Sequence, residues 1–179
     1  MKWVLYIGGG LLGVLLLAVV ILMGLGLRSD AGRMQASVVV RRSPVDVWPW
    51  LTESGKLKAW VGWLIEVREE SPGAHGIGSR SVWVMEDRNN NNQKLEIVNE
   101  VCEWVPARRL ATHAGFQNMF STDAAYVLTD LGDGGTRIES DTRVHYGHPL
   151  AKVFEPLITW QAGKKTVEDL GRWKSLAER

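Results

Sequence analysis

The apolar positions of the chain follow three rhythms. From Trp3 to Leu27 they run on without a charged residue. That stretch is long enough to cross a bilayer, which needs about 20 apolar residues. From Gln35 to Tyr146 the pattern changes to short runs rich in Val, Ile, Trp and Thr, parted by clusters of Gly, Pro, Asn and Asp. These are the marks of strands and turns. From His148 to Arg179 the rhythm lengthens. Leu150, Val153, Phe154, Leu157 and Ile158, then Val167, Leu170, Trp173 and Leu176/Ala177, recur at the i, i+3, i+4 spacing of an amphipathic helix. Pro149 suits its first position, and a helix of this extent reaches roughly 45 Å, enough to cross a sheet. Pro156 lacks a backbone donor and crowds the preceding turn, so a kink or break is expected there, with Pro149–Glu155 as a separate piece. Gly163 is a second weak point. Either both are tolerated irregularities of one helix, or a broken helix serves as a movable lid over a pocket.

Between leader and final helix the expected elements follow in order. Gln35–Arg42 reads as a strand. Ser43-Pro44 opens a helix with Val47, Trp48 and Leu51 on one face, which Pro49 shortens or distorts. Ser54–Trp60 reads as a second short helix. Strands are expected at Trp63–Glu69, Gly78–Glu86, Gln93–Trp104, Arg109–Phe116, Thr122–Leu131 and Thr136–Tyr146. Ser71-Pro72-Gly73 and Gly132-Asp133-Gly134-Gly135 are turns. Strands that zigzag by short turns are antiparallel, and the last helix is the element available to cover one face of their sheet. The expected class is α+β, an antiparallel sheet covered by a long C-terminal helix and preceded by one transmembrane helix. The expected organisation is an anchor over residues 1–28, a linker over 29–34 and one domain over 35–179. There is no internal repeat.

A signal peptide is the alternative reading of the leader. Its apolar core would be only about 7–15 residues and end in a small-x-small cleavage site. Ser29-Asp30-Ala31-Gly32 is a poor site of that kind, so an uncleaved membrane anchor through residues 3–27 is favoured. Gly9 and Gly13 form a GxxxG pair, a weak signal for self-association of such helices. Lys2 lies before the run and Arg28 and Arg33 close after it, which tips the positive-inside count toward a cytoplasmic C-terminal domain.

Charge narrows the function classes. The formal net charge is +1, and once Lys2 is set aside the remaining bases and acids balance. A nucleic-acid binder would need a basic face, so no nucleic-acid partner is expected. A single cysteine, Cys102, excludes an internal disulfide, and the acidic neighbours Glu100 and Glu103 disfavour a reactive thiolate. His75, His113, His145 and His148 show no metal-ligand spacing, so no metal is expected. No G-x-S-x-G, P-loop or G-x-G-x-x-G in its strand-to-helix context occurs, and no cofactor is expected. Nine tryptophans are many for 179 residues, and several should line a large apolar interior or its rim.

Several stretches occur in one order: the first strand, SPVDVWPWLTESGKLKAWVGWL, GIGSR, EVCEWVPARRLA, YVLTDLGDGGTRIESDTRV and TVEDLGRWKSLAER. As an ordered set they resemble the START/Bet v 1-like superfamily, also called SRPBCC or polyketide cyclase/dehydrase-like proteins. The resemblance covers Gln35 to Arg179. Val47-Trp48 after Ser-Pro matches the family's helix opening, Pro106 before Arg108-Arg109-Leu110 its strand turn, and Gly135-Thr136-Arg137 its hairpin exit. Trp173 stands where the family usually has Leu, and Pro49 is unusual. The resemblance implies a helix-grip fold, an antiparallel sheet wrapped around the C-terminal helix, with a deep cavity for apolar ligands.

Strand alternation assigns faces. Arg137, Glu139, Asp141, Arg143 and His145 form a solvated face, and His113 also points outward. The opposite face carries Leu110, Thr112, Ala114 and Phe116, then Ala124, Tyr126 and Leu128, then Ile138, Ser140, Thr142, Val144 and Tyr146. The expected ligand-binding set is Leu110, Thr112, Tyr126, Leu128, Ser140, Thr142 and Tyr146, closed by Phe154, Leu157, Ile158 and Gln161 from the helix. Apolar side chains provide burial and hydroxyls orient one polar end of a ligand. These faces carry no ionisable group of the kind proton transfer needs. The expected function is therefore a membrane-anchored module binding a lipid, quinone or polyketide-like compound in a cavity between sheet and helix. The alternative is a cyclase or dehydratase acting on such a molecule. A third class, a protein-interaction domain, would need exposed apolar area around Trp60 and Trp63.

Overall fold

The structure is a computed structural model that describes residues 2–26, 32–70, 75–87, 91–117, 119–147 and 149–179. An N-terminal helix α1 (Lys2–Gly26) precedes strand β1 (Arg33–Val40) and three short helices, α2 (Pro44–Val47), α3 (Pro49–Thr52) and α4 (Ser54–Trp60). Six strands follow: β2 (Leu64–Glu69), β3 (Arg80–Asp87), β4 (Gln93–Val105), β5 (Arg109–Phe116), β6 (Phe120–Asp130) and β7 (Thr136–Tyr146). Helix α5 (Pro149–Ala177) ends the chain. The expected turn at Ser71–Gly73, residues 29–31 of the expected linker and His148 fall outside the described residues. Arg33 and Met34, expected in the linker, belong to β1.

The sheet is a single antiparallel array in the order β1-β7-β6-β5-β4-β3-β2. The glycine-rich turn between β6 and β7 works as expected, with Gly132 and Gly134 at φ 77° and 81°, where a side chain would be strained. Ser43 caps α2, its hydroxyl accepting from the Asp46 amide. Pro49 ends α2 and starts α3 as its first residue, so the distortion anticipated at that proline becomes a division into two helices.

Pro156 does not do the same. Helix α5 runs unbroken from Pro149 to Ala177 with Pro156 inside it, so the expected break, and the movable lid built on it, are corrected. One interior proline removes one rung of the helical ladder. The rungs on either side and the packing of the helix against β1 and α1 keep it continuous.

The core forms where the C-terminal half of α5 meets the sheet and the short helices. Val40, Val47, Ile138, Leu170 and Trp173 are the most deeply buried apolar residues. The indole of Trp173 stacks on that of Trp60 from α4, with centroids 4.8 Å apart and planes 22° from parallel. Trp60 Nε1 donates to the Trp50 carbonyl at 2.8 Å, whereas buried Trp173 Nε1 has no hydrogen-bond partner. Polar contacts tie the same joint. The Gly62 amide donates to Asp169 Oδ1 at 3.3 Å, Lys165 pairs with that carboxylate, and Arg172 Nη1 donates to the Trp60 carbonyl at 3.3 Å. The ends of the Lys165, Arg172 and Asp169 side chains close over Gly62. At the end of α5, Arg42 Nε donates to the Ala177 carbonyl at 2.9 Å, satisfying a free helix-end acceptor.

The apolar stripe expected along the whole of α5 divides. Leu170, Trp173 and Ala177 are buried as expected, but Val167 is exposed. Phe154, Leu157 and Ile158 are 50, 48 and 39% exposed, because the first half of α5 does not lie over the sheet's interior. It lies at the sheet's edge, with Pro156, Thr159 and Gly163 by Arg33, Met34 and Gln35 at the start of β1, and α5 also packs against α1. Residues Tyr6–Gly24 of α1 are long and apolar enough to cross a membrane, and none of that span is buried within the protein.

The joint predicts a graded response to truncation. Trp173→Ala should lower unfolding stability by about 3–5 kcal/mol, the scale for a large core aromatic. Trp173→Phe should cost clearly less, since it keeps a stacking ring and removes an unpaired buried donor that itself costs about 1–3 kcal/mol. Chemical denaturation of the three proteins followed by tryptophan fluorescence would check both. A loss under roughly 1 kcal/mol in Trp173→Ala, near the scale of a surface change, would place the indole outside the core.

Candidate functional site

The concave side of the sheet is not filled. Across β3 to β6 its central rows carry small side chains. Ser81 lies opposite Asn99, Asn99 opposite Ala114 and Ala114 opposite Thr122. One row over, Val101, Thr112 and Ala124 are neighbours in the same way. Larger residues stand around this hollow: Trp83 and Met85 from β3, Trp104 from β4, Phe120 and Tyr126 from β6, and Leu51, Leu57 and Trp60 from α3 and α4. The result is a cavity of about 260 Å³. It is apolar on most sides, as small-molecule sites are.

A bulge shapes one wall. The pairing of β4 with β5 shifts between Val101 and Glu103, so Cys102 is the extra residue. Strict alternation would put Glu103 on the face of Asn99 and Val101. The bulge resets the alternation, turning Glu103 out to bond Arg109 at 2.6 Å and Trp104 in. Trp104 meets Trp48 edge-on at 5.2 Å, and His75 stacks over its ring at 6.4 Å and 21°.

Three polar features accompany the apolar wall. Asn99 is buried on the floor at 6% exposure, and its amide can both donate and accept. Tyr126 faces the cavity with its ring edge-on to Trp60 at 6.3 Å. Burial pushes its phenol above the ordinary 10.0, the neighbouring Ser140 hydroxyl opposes this, and the Asp169 charge adds to it. The phenol is therefore a neutral donor at physiological pH. Ser140 Oγ lies near it but outside hydrogen-bonding geometry, and is buried without a partner. Glu69, His75 and Arg80 border the cavity but are exposed, with Ser54 donating to Glu69 at 3.2 Å and Arg80 turned to Glu70 and Glu100.

The expected ligand-binding residues fall into three groups. Leu110, Thr112 and Tyr126 line this cavity. Leu128 and Ser140 are buried on the inner face outside it, and Thr142 and Tyr146 lie further along β7, half-buried. Phe154, Leu157, Ile158 and Gln161 are exposed on α5 and do not close the cavity. The cover expected from α5 comes from α3 and α4 instead. The inner faces of β5, β6 and β7 were expected to carry no ionisable group for proton transfer, and Glu69, His75 and Arg80 border the cavity from other parts of the chain. Alternation alone could have found Asn99, Trp83 and Met85. Trp104 could not be found that way, because nothing in the sequence marks the bulge.

The outer face is solvated as expected. There Asp123 bridges two histidines, with Oδ1 at 2.7 Å from His113 Nδ1 and Oδ2 at 3.1 Å from His145 Nε2. Among the described residues, no group of three or more His, Cys, Asp or Glu side chains is placed to hold a metal ion. Trp60 is buried and Trp63 half-buried, so the exposed patch that a protein-interaction reading needed is not present there.

No protein-family model matches the sequence, and no curated protein matches it. Solved structures do match. A hypothetical protein from Helicobacter pylori superposes with a TM-score of 0.68 at 12% identity, over 86% of this chain and 92% of its own. A protein from Thermus thermophilus gives 0.66 at 16% identity, over 81% of this chain and 96% of its own. A conserved protein from Geobacillus kaustophilus gives 0.65 at 11% identity, over 81% and 94%. At these identities the likeness is one of fold, a sheet with a C-terminal helix.

The outer cluster yields a pH prediction. The hydrogen bond from His113 holds the Asp123 carboxyl below its ordinary 3.8, burial opposes, and His145 adds to the lowering. A depressed carboxyl stabilises the fold above the unfolded-state pKa of about 3.9, and that contribution is lost as pH falls through the folded value. A carbon-13 titration of Asp123 should give a midpoint under 3.8, and His113→Ala should raise it. An unchanged midpoint in that variant would remove the bridge from the account.

Proposed function

We propose that the chain is a membrane-anchored START/Bet v 1-like (SRPBCC) domain that binds a compact hydrophobic molecule with one polar end. The observation that carries this reading is the hollow behind Ser81, Asn99, Ala114 and Thr122, walled by tryptophans and provided with one buried amide. Unfilled apolar volume costs packing energy, so a ligand would recover what the small side chains forgo. The cavity volume, about 260 Å³, lies below the usual ~300–1,000 Å³ of ligand pockets. It suits a ring-containing quinone or polyketide-like compound better than a lipid with two acyl chains. The Asn99 amide and the Tyr126 hydroxyl would orient its polar end. Residues 35–179 form the binding domain, and α1 holds it to a membrane, with the domain on the cytoplasmic side.

The reading is tested by extracting the purified full-length protein and identifying bound small molecules by mass spectrometry. Ala114→Trp should fill the hollow and abolish retention, while Ala111→Trp, on the opposite face of β5, should leave it intact. Asn99→Leu should weaken binding by about 0.5–1.5 kcal/mol, the net worth of one hydrogen bond. Retention in the Ala114→Trp protein would remove the cavity as the site.

A cyclase or dehydratase is the second reading, favoured by Glu69 and His75 at the edge of the cavity. If Tyr126 donates a proton in turnover, Tyr126→Phe should slow catalysis by about 10²–10⁴-fold. If the protein only binds, the same change should shift affinity modestly. Assay of the extracted compound as substrate with both proteins separates the two.

A further inference from the structure

We propose that the first half of α5 lies in the surface of the bilayer beside α1, with Phe154, Leu157, Ile158 and Trp160 in contact with lipid. The proposal rests on the reading of α1 as a membrane anchor. These four side chains are 50, 48, 39 and 57% exposed and fall on one broad side of the helix. A contiguous exposed apolar patch of this kind marks an interaction surface. Topology says which surface meets it. Strand β1 begins at Arg33, soon after α1 ends at Gly26, and Arg33 pairs with Arg143 near the end of β7. Helix α5 starts at Pro149, just after β7 ends at Tyr146. The end of α1 and the start of α5 therefore share one end of the sheet, and the two helices pack together. Among the α1 residues whose side chains are described, Val19 and Leu22, near its C-terminal end, are the two that are not fully exposed. The rest of the described α1 surface is apolar and bare.

The surface of α5 also marks where the lipid contact should end. Lys164 Nζ sits 3.6 Å above the ring of Trp160. Beyond it the exposed side carries Lys164, Glu168 and Arg172. Tryptophan and lysine are the side chains that bridge an apolar layer and water, the indole at headgroup depth and the ammonium reaching outward. Glu155, an acid in this half, is turned into the protein at 9% exposure. An amphipathic helix of this character sinks about 5–10 Å into the headgroup region.

The test uses the full-length chain with Cys102→Ser, reconstituted in phosphatidylcholine vesicles, with one environment-sensitive fluorophore placed in turn through Leu157→Cys, Ile158→Cys, Leu16→Cys or Val45→Cys. Lipids carry a nitroxide either near the headgroup or deep in the acyl chain. Labels at 157 and 158 should be quenched by the shallow nitroxide more than by the deep one. The label at 16 should be quenched by the deep one, and the exposed 45, past the opposite end of β1, by neither. Quenching at 16 without quenching at 157 or 158 overturns this inference and leaves the anchor standing. No quenching at 16 overturns the anchor and this inference with it. Labels at 157 and 158 that are shielded from lipid and cross-link to a second copy assign the surface to self-association instead.

Discussion

The stacking of Trp60 on Trp173 joins the two covers of the sheet. One cover is the C-terminal half of α5, which packs along β1 and β7. The other is the α3–α4 pair, which stands over the strands from β2 to β6 as the roof of the cavity. Each is too narrow to cover seven strands alone. Their indoles meet at 4.8 Å, an arrangement worth about 0.5–1.5 kcal/mol beyond the burial itself. The unpaired Trp173 Nε1 offsets part of this, so the joint is held mainly by apolar burial and by the Asp169 and Arg172 contacts to the loop after α4.

Because the covers meet over the middle of the sheet, the hollow lies to one side of the joint. Its emptiness has a simple cause. Ser81 on β3, Ala114 and Thr112 on β5, and Thr122 and Ala124 on β6, with Asn99 and Val101 between them on β4, leave space that the surrounding indoles do not fill. The β4 bulge strengthens this by bringing Trp104 into the wall rather than Glu103. An acid there would have placed a charge against the apolar lining, where an unpaired carboxylate is costly.

Helix α5 serves two surroundings along one length. Its second half supplies Leu170 and Trp173 to the core, while its first half lies by the start of β1 and leaves Phe154, Leu157 and Ile158 exposed.

Local signals determined most of the element plan. The Ser43-Pro44 cap, a distortion at Pro49, the Ser54–Trp60 helix, the glycine-rich β6–β7 turn and the solvated face of β7 all follow from residues within a few positions of one another, and the sequence alone placed them. It also identified Leu110, Thr112 and Tyr126 as inward-facing, because alternation is a strictly local rule. It could not decide where α5 would sit across the sheet. The spacing of Phe154, Leu157 and Ile158 records an apolar face, and spacing says nothing about what that face meets. Continuity of α5 through Pro156 likewise depends on neighbouring rungs and packing rather than on the proline. The bulge that turns Trp104 inward and the roof made by α3 and α4 arise from strand register and long-range packing. Those are properties of residues far apart in the chain, and only the tertiary structure brings them together.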